Sequence, residues 1–231
     1  MKARVLTPEL LDSLSPDDPA AQASRRDLQR LHPILGQIRL WHGWFRQNFP
    51  HRPPASLADL GTGDGSLLAT VLLRSFPKGG HGARIFFVDR QPVVPESTLA
   101  HLRRCNWLPT VVTAEVLDWI EEGSPADTCL TNLFLHHLKE AQITRLFSAL
   151  AAKVTLFAAA EPRRTRLARC GAAALGLLGC HAVTRHDARV SVEAGFTAQE
   201  LGALWPSRHG WFLQENPVGP FTHFFSAAKI S

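Results

Sequence analysis

The chain has 231 residues, of which 45% are hydrophobic and 19% charged, with 16 Gly and 16 Pro. That composition describes one folded domain with a small appendage, and it excludes disordered, collagen-like and low-complexity classes. The balance of 25 Lys+Arg against 20 Asp+Glu, formally +5, suits anionic small ligands and does not compel nucleic acid.

The first 50 residues read as helical. Thr7, Pro8 and Glu9 suit an N-cap, a first-turn proline and a first-turn acid. Asp17, Asp18 and Pro19 mark a break. Leu28, Leu31, Leu35, Ile38, Trp41 and Phe45 then recur at steps of three or four, giving one apolar face. Pro33 predicts a kink or two helices there. The pattern assigns residues 1–52 to an N-terminal helical cap and 53–231 to the main domain, with Trp41, Trp44 and Phe45 expected in the core.

From residue 55 the chain alternates. Strands are predicted at 56–60, 83–88, 110–113, 128–133 and 154–160, with helices at 66–76, 92–104, 116–121 and 138–152. This is an α/β pattern with a parallel sheet covered on both faces. Thr197 and Glu200 form a capping box, with Phe196 and Leu201 as its staple, which predicts a helix to about Leu204. Two β-like runs at 211–214 and 221–228 suit a hairpin. Residues 160–195 are too long for a plain connection and read as an inserted lid over the substrate site.

Cys105, Cys129, Cys170 and Cys180 form no CxxC pair, so no zinc site is read from them. The start of the chain lacks the apolar core of a signal peptide, and a cytoplasmic protein with free thiols is expected. The uncharged stretch 170–184 is shorter than the roughly 18–20 residues a membrane span needs. There is no tyrosine to serve as acid, base or nucleophile.

The chemistry centres on Asp59, Leu60, Gly61, Thr62, Gly63, Asp64 and Gly65 at a strand-to-helix turn. Glycines permit a sharp bend and close approach of a ligand, and the following helix start offers N–H groups to an anion. Ser66 stands where a dinucleotide fingerprint needs its third glycine. Asp59 can receive an ammonium group, and Asp89, at the end of the second strand, can accept two ribose hydroxyls. A ligand with an ammonium, a carboxylate and a ribose is S-adenosylmethionine.

These residues, with Glu115 after the third strand, resemble the cofactor site of class I S-adenosylmethionine-dependent methyltransferases over roughly residues 55–231. The resemblance implies a Rossmann-like, doubly wound seven-stranded sheet with an antiparallel last strand. It implies that Asp59 binds the methionine ammonium, with Leu60, Gly61, Thr62 and Gly63 around the methionine part. Asp89 and Arg90 would hold the ribose, Glu115 and Val116 the adenine, and Asn132 and Leu133 would floor the pocket. Residues 132–138, 161–164 and 184–192, with Arg26, Asp27 and Leu28, are similar to bacterial natural-product methyltransferases, particularly those beside type III polyketide synthases. That similarity implies a phenolic or aromatic-polyketide acceptor.

Ionising a phenol of pKa near 10 at pH 7 costs roughly 4 kcal/mol, which a positioned histidine would offset. His137 is the first candidate base because it follows the fourth strand, and His186 the second, flanked by Arg185 and Asp187. His136, Arg163, Arg164, Arg185 and His223 are candidate acceptor-binding residues. No metal is expected, since Asp127 and Asn132, the only nearby ligands, straddle the fourth strand. O-methylation leads the reading. C- or N-methylation, or a binding protein without turnover, remain open, and an RNA methyltransferase would be expected to carry a stronger basic stripe. The partner is a small molecule, not nucleic acid, and the chain is expected to be a monomer or homodimer.

Overall fold

The structure, a computed structural model, describes residues 3–123 and 126–230. Three helices open the chain: α1 (Leu10–Ser13), α2 (Pro19–Ile34) and α3 (Gln37–Asn48). Pro8 precedes α1 rather than starting it. The α1 N–H groups of Leu10 and Leu11 donate instead to the Asp187 carboxylate at 2.8 and 3.0 Å, a cap supplied from far along the chain. Asp18 caps α2 through Ala20 N–H at 2.7 Å, with Pro19 in the first turn. The break after α2 falls at Gly36, whose φ of 74° is open to glycine, and not at Pro33.

The body alternates as β1 (Ser56–Leu60), α4 (Ser66–Ser75), β2 (Ala83–Asp89), α5 (Glu96–Arg104), β3 (Trp107–Thr113), α6 (Val116–Gly123), β4 (Thr128–Asn132), α7 (Glu140–Lys153) and β5 (Leu156–Pro162). The sheet has seven strands in the order β3-β2-β1-β4-β5-β7-β6. Strands β1 to β5 pair in parallel. The last strands, β6 (Trp211–Val218) and β7 (Thr222–Lys229), form a hairpin, and β7 runs antiparallel to β5. Every residue of β1 is buried, as befits the middle of a sheet covered on both faces. Pro109 and Pro217 lie in the two edge strands, where a missing N–H is tolerated.

One face is covered by α6, α7 and the Phe196–Trp205 segment, with Ile143, Phe147, Phe157, Trp205 and Phe225 at its heart. The other is covered by α3, α4 and α5, and there Trp41, Trp44 and Phe45 pack with Leu72, Ile85 and Trp107. Between β5 and β6, α8 (Arg166–Ala174) and α9 (Ala182–Ala194) fold back on each other through a 3-10 turn at Leu175–Leu178. The pair leans on the N-terminal helices. The Asp27 carboxylate of α2 accepts from His181 N–H at 2.6 Å and from the Thr184 hydroxyl at 3.0 Å.

The helix expected after Thr197 does not form, and residues 198–204 are turns. The box is half made, since Thr197 N–H donates to Glu200 at 2.9 Å. The N–H groups of Leu201 and Gly202 go to the buried Glu215 carboxylate at 3.0 and 2.7 Å instead of to helical carbonyls. A tertiary acceptor has outcompeted the local one. No helix of the described residues is long and apolar enough to cross a membrane, and the four cysteines are free thiols.

Candidate active site at the carboxyl edge of the sheet

Strands β1 and β4 are neighbours whose connections leave in opposite directions, which opens a crevice at their carboxyl ends. The glycine turn lies there. Gly61 and Thr62 N–H both donate to the Val88 carbonyl, at 2.8 and 3.2 Å. Gly61 has φ 71°, and a Cβ at that position would stand 2.3 Å from the Phe134 ring. Glycine is therefore required there for both conformation and space. Gly63 N–H donates to Asp89 Oδ2 at 2.9 Å, and Gln91 N–H to Asp89 Oδ1 at 3.0 Å. The Asp89 carboxylate is thus held rigidly, with lone pairs to spare for further donors.

Asp59 is buried and accepts from the Thr62 hydroxyl at 2.7 Å. Burial pushes its carboxyl up to about 7. The Thr62 hydrogen bond opposes that rise, and the charges of Asp89 and Asp64 add to it. Among the described residues no cation pairs with this carboxylate, which makes it a candidate partner for a positively charged ligand group.

Beside Asp89 lies a cavity of about 270 Å³ lined by Leu11, Asp12, Arg25, Gly63, Asp89, Arg90, Gln91 and Val93. The sequence reading supplies Gly63, Asp89 and Arg90. Leu11, Asp12 and Arg25 come from the N-terminal segment, and no local pattern marks them. Arg25 is fixed by the Pro16 carbonyl at 2.9 Å and by Gln91 at 3.1 Å. Arg90 approaches Glu115 at 3.7 Å and Asp12 at 4.0 Å; Glu115 is exposed, while Val116 beside it is buried. A space of only about 10 Å³ touches Asp59, Asn132 and Trp41.

The loop after β4 is tightly organised. Leu133 takes a left-handed φ of 57°, a conformation that costs a branched residue energy and that the surroundings must impose. They do so through Glu161 of β5, which is fully buried. Its carboxylate accepts the N–H groups of Phe134 at 3.1 Å, Leu135 at 2.8 Å and His136 at 3.3 Å. It also accepts from His136 Nδ1 at 2.8 Å, while His136 Nε2 lies 3.2 Å from Glu9. Burial alone would lower the His136 pKa, but the hydrogen bonds and charges of Glu161 and Glu9 outweigh it and raise it to about 9. His137, with 24% of its side chain exposed, has Nδ1 3.3 Å from Asp12 and Nε2 4.0 Å from Glu9. The His136 and His137 rings lie 4.2 Å apart. Glu9 and Glu161 are the chief omissions of the sequence reading. Glu161 directly precedes a proline and two arginines that draw attention away from it.

Other expected site residues are not gathered here. His186 is 44% exposed and its partner Asp187 is occupied in capping α1. Arg185 is exposed beside the 3-10 turn at Gly176. Arg164 is buried against Glu200 at 2.6 Å, Thr197 at 3.4 Å and the Gly195 carbonyl, which makes it a tie for the turn segment. Arg163 donates to the Gly219 carbonyl at 3.3 Å, toward the β6–β7 turn. His223 is buried, 2.7 Å from Glu215. Asp127, weighed above as a metal ligand, bonds the Ser56 hydroxyl at 2.8 Å at the opposite end of the sheet.

No family model matches the chain, and no curated protein matches it by sequence. Solved structures match its fold. The plantazolicin methyltransferase BpumL, in complex with a monoazolic desmethylPZN analog and SAH, is similar at TM-score 0.67 and 13% identity, over 96% of this chain and 94% of that one. An O-methyltransferase family protein from Burkholderia thailandensis is similar at TM-score 0.57 and 17% identity, over 90% of this chain and 60% of the other. The pyocyanin biosynthetic protein PhzM gives TM-score 0.53 and 19% identity over 82% and 54%. The fold is that of the Rossmann-like class I methyltransferases.

Proposed function

We propose that the chain is an S-adenosylmethionine-dependent methyltransferase acting on a small molecule, with the hydroxyl of a phenolic or aromatic-polyketide compound as the favoured acceptor. The observation that carries the reading is the pair Asp59 and Asp89 on either side of the glycine turn, one buried without a cation and the other held by two N–H groups beside a cavity. The cofactor, when bound, supplies an electrophilic methyl group on a sulfonium. On this reading Asp59 receives the amine, Gly61 and Gly63 let the ligand approach the backbone, and Asp89 accepts the ribose hydroxyls. Arg90, Gln91 and Glu115 border the adenosine side, with Leu11 and Asp12 closing it from above.

Transfer is an in-line displacement, so the protein's work is alignment and exclusion of water. Asn132, Leu133 and Phe134 form the floor. The acceptor proton has to leave at the same edge, and the corner of His137, His136, Glu9 and Asp12 is the polar group nearest to that floor along the chain. His186, Arg163, Arg164, Arg185 and His223 have no part in this version of the site. The similar structures include an O-methyltransferase family protein and a methyltransferase in complex with an azole-containing analog, which supports a natural-product acceptor. The test is incubation of protein and cofactor with a panel of phenols and aromatic acids, followed by mass detection of a gain of one CH₂. Turnover of a phenol supports the reading. Methylation at carbon or nitrogen, or no product despite cofactor binding, replaces it.

A further inference from the structure

We propose that Glu9, His136 and His137 form a binding site for one divalent first-row transition-metal ion, with Zn²⁺ the ion this donor set suits. The proposal deepens the acceptor corner of the proposed function but stands on a geometry that can be tested without the cofactor.

The donor atoms already converge. One ligand atom from each of the three side chains lies within 4.8 Å of the other two. His136 Nε2 is 3.2 Å and His137 Nε2 4.0 Å from the same oxygen, Glu9 Oε1. In a tetrahedral site with metal–ligand distances of about 2.0–2.1 Å, neighbouring donors stand about 3.3 Å apart. The first pair meets that spacing, and the second needs a shift that His137, near the surface, has room to make.

The outer contacts also fit. Metal-binding histidines characteristically use one ring nitrogen for the ion and the other for a carboxylate or carbonyl, which fixes the ring. Here both histidines follow that rule with the same polarity. Nδ1 of His136 lies 2.8 Å from Glu161, and Nδ1 of His137 lies 3.3 Å from Asp12. Both Nε2 atoms are left facing Glu9. Glu161 is itself fixed by three backbone N–H groups, and Glu9 accepts the Ser191 hydroxyl. Two imidazoles and one carboxylate leave a fourth position open, as catalytic zinc sites do.

Three carboxylates, Glu9, Asp12 and Glu161, surround two imidazoles. In the metal-free protein the His136 imidazolium bridges Glu161 and Glu9, so an ion that binds here displaces its Nε2 proton. The neighbouring arginines are committed elsewhere. Arg4 stacks on Phe196 at 4.1 Å and bonds the carbonyls of Ala194, His136 and Leu138, while Arg90 divides itself between Glu115 and Asp12. An ion at this point joins the N-terminal segment, which closes the cavity, to the loop that follows β4. It also brings a Lewis acid to the edge where an acceptor hydroxyl must ionise.

The experiment is titration of chelator-treated, cofactor-free protein with Zn²⁺ by calorimetry, and with Co²⁺ by visible absorption. The wild type is expected to take up one equivalent, with Co²⁺ bands of low-coordinate nitrogen–oxygen ligation. Glu9→Gln, nearly isosteric at a largely buried position, and His137→Gln, both checked for folding by circular dichroism, are each expected to weaken binding at least tenfold. Asp12→Asn is expected to weaken it about 10-fold or more through His137. His186→Gln, on an exposed histidine away from the cluster, is expected to leave it unchanged. Absence of saturable binding, or an equivalent that survives both Glu9→Gln and His137→Gln, overturns the proposal. Either result leaves the methyltransferase reading standing, because cofactor binding is measured separately.

Discussion

Trp41 of α3 donates its indole N–H to the Asn132 side-chain oxygen at 2.9 Å, and both residues line, with Asp59, one small space. That space, about 10 Å³, holds roughly one water. On the proposed reading, a ligand amine that reaches Asp59 has to enlarge this space, of which Trp41 and Asn132 are two of the walls. Cofactor addition is therefore expected to change tryptophan emission in the wild type and to change it much less in Trp41→Phe. Equal changes in both would show that the amine enters without moving this pair. Trp41→Phe should also cost about 1 kcal/mol of stability by leaving a partly buried acceptor unpaired, measurable by urea unfolding.

If Asp59 receives the cofactor amine, as proposed, binding is proton-linked. Its carboxyl is raised to about 7, so near pH 7 a large fraction of the free protein holds a proton there, and an ammonium ligand must drive it off. Affinity is expected to rise from pH 6 to pH 8. Calorimetry at pH 7 in two buffers of different ionisation enthalpy should report net proton release, which Asp59→Asn abolishes. The same shift acts on stability. The folded state keeps the proton while the unfolded chain, with an ordinary value of 3.8, gives it up. This contribution is therefore lost as pH rises from about 4 to about 7.

The two turn glycines should differ on substitution. Gly61→Ala meets both a positive φ and the Phe134 ring, whereas Gly63→Ala, at φ 57°, meets open space. Gly63→Ala is expected to cost about 1–2 kcal/mol for the left-handed backbone alone. Gly61→Ala should cost more and displace the loop after β4. Thermal melts of the two variants check the order, and equal losses would contradict the packing described here.

Arg164 separates architecture from substrate recognition. Its guanidinium ties β5 to the turn segment through Glu200, Thr197 and Gly195. Arg164→Met is expected to lower Tm and leave the cofactor Kd unchanged. A variant with wild-type Tm and impaired acceptor binding would restore the substrate role expected from the sequence.

These residues show what the sequence makes legible. β1 and the glycine turn are local: a short apolar strand, an acid and three glycines carry their own signal, and 56–60 is the strand observed. Asp59 and Asp89 follow from that register. What escapes is whatever depends on distant partners. Glu9 reaches His136 across 127 positions and Leu10 reaches Asp187 across 177, and no periodicity encodes either contact. Arg164 and His223 stand at the ligand edge in sequence order, yet Glu200, in the turn segment, and Glu215, in the edge strand β6, claim them for packing. The same Glu215 explains the missing helix after Thr197, because local capping signals cannot reveal a buried carboxylate that takes the backbone donors.

The most direct measurement is calorimetric titration of the purified chain with S-adenosylmethionine and its demethylated product, in the wild type and in Asp89→Ala. Saturable binding at one site, weakened at least tenfold by that substitution while the fold persists, is the predicted result. A wild-type protein that takes up neither compound at millimolar concentration, or an Asp89→Ala variant that binds as well as the parent, would contradict the account.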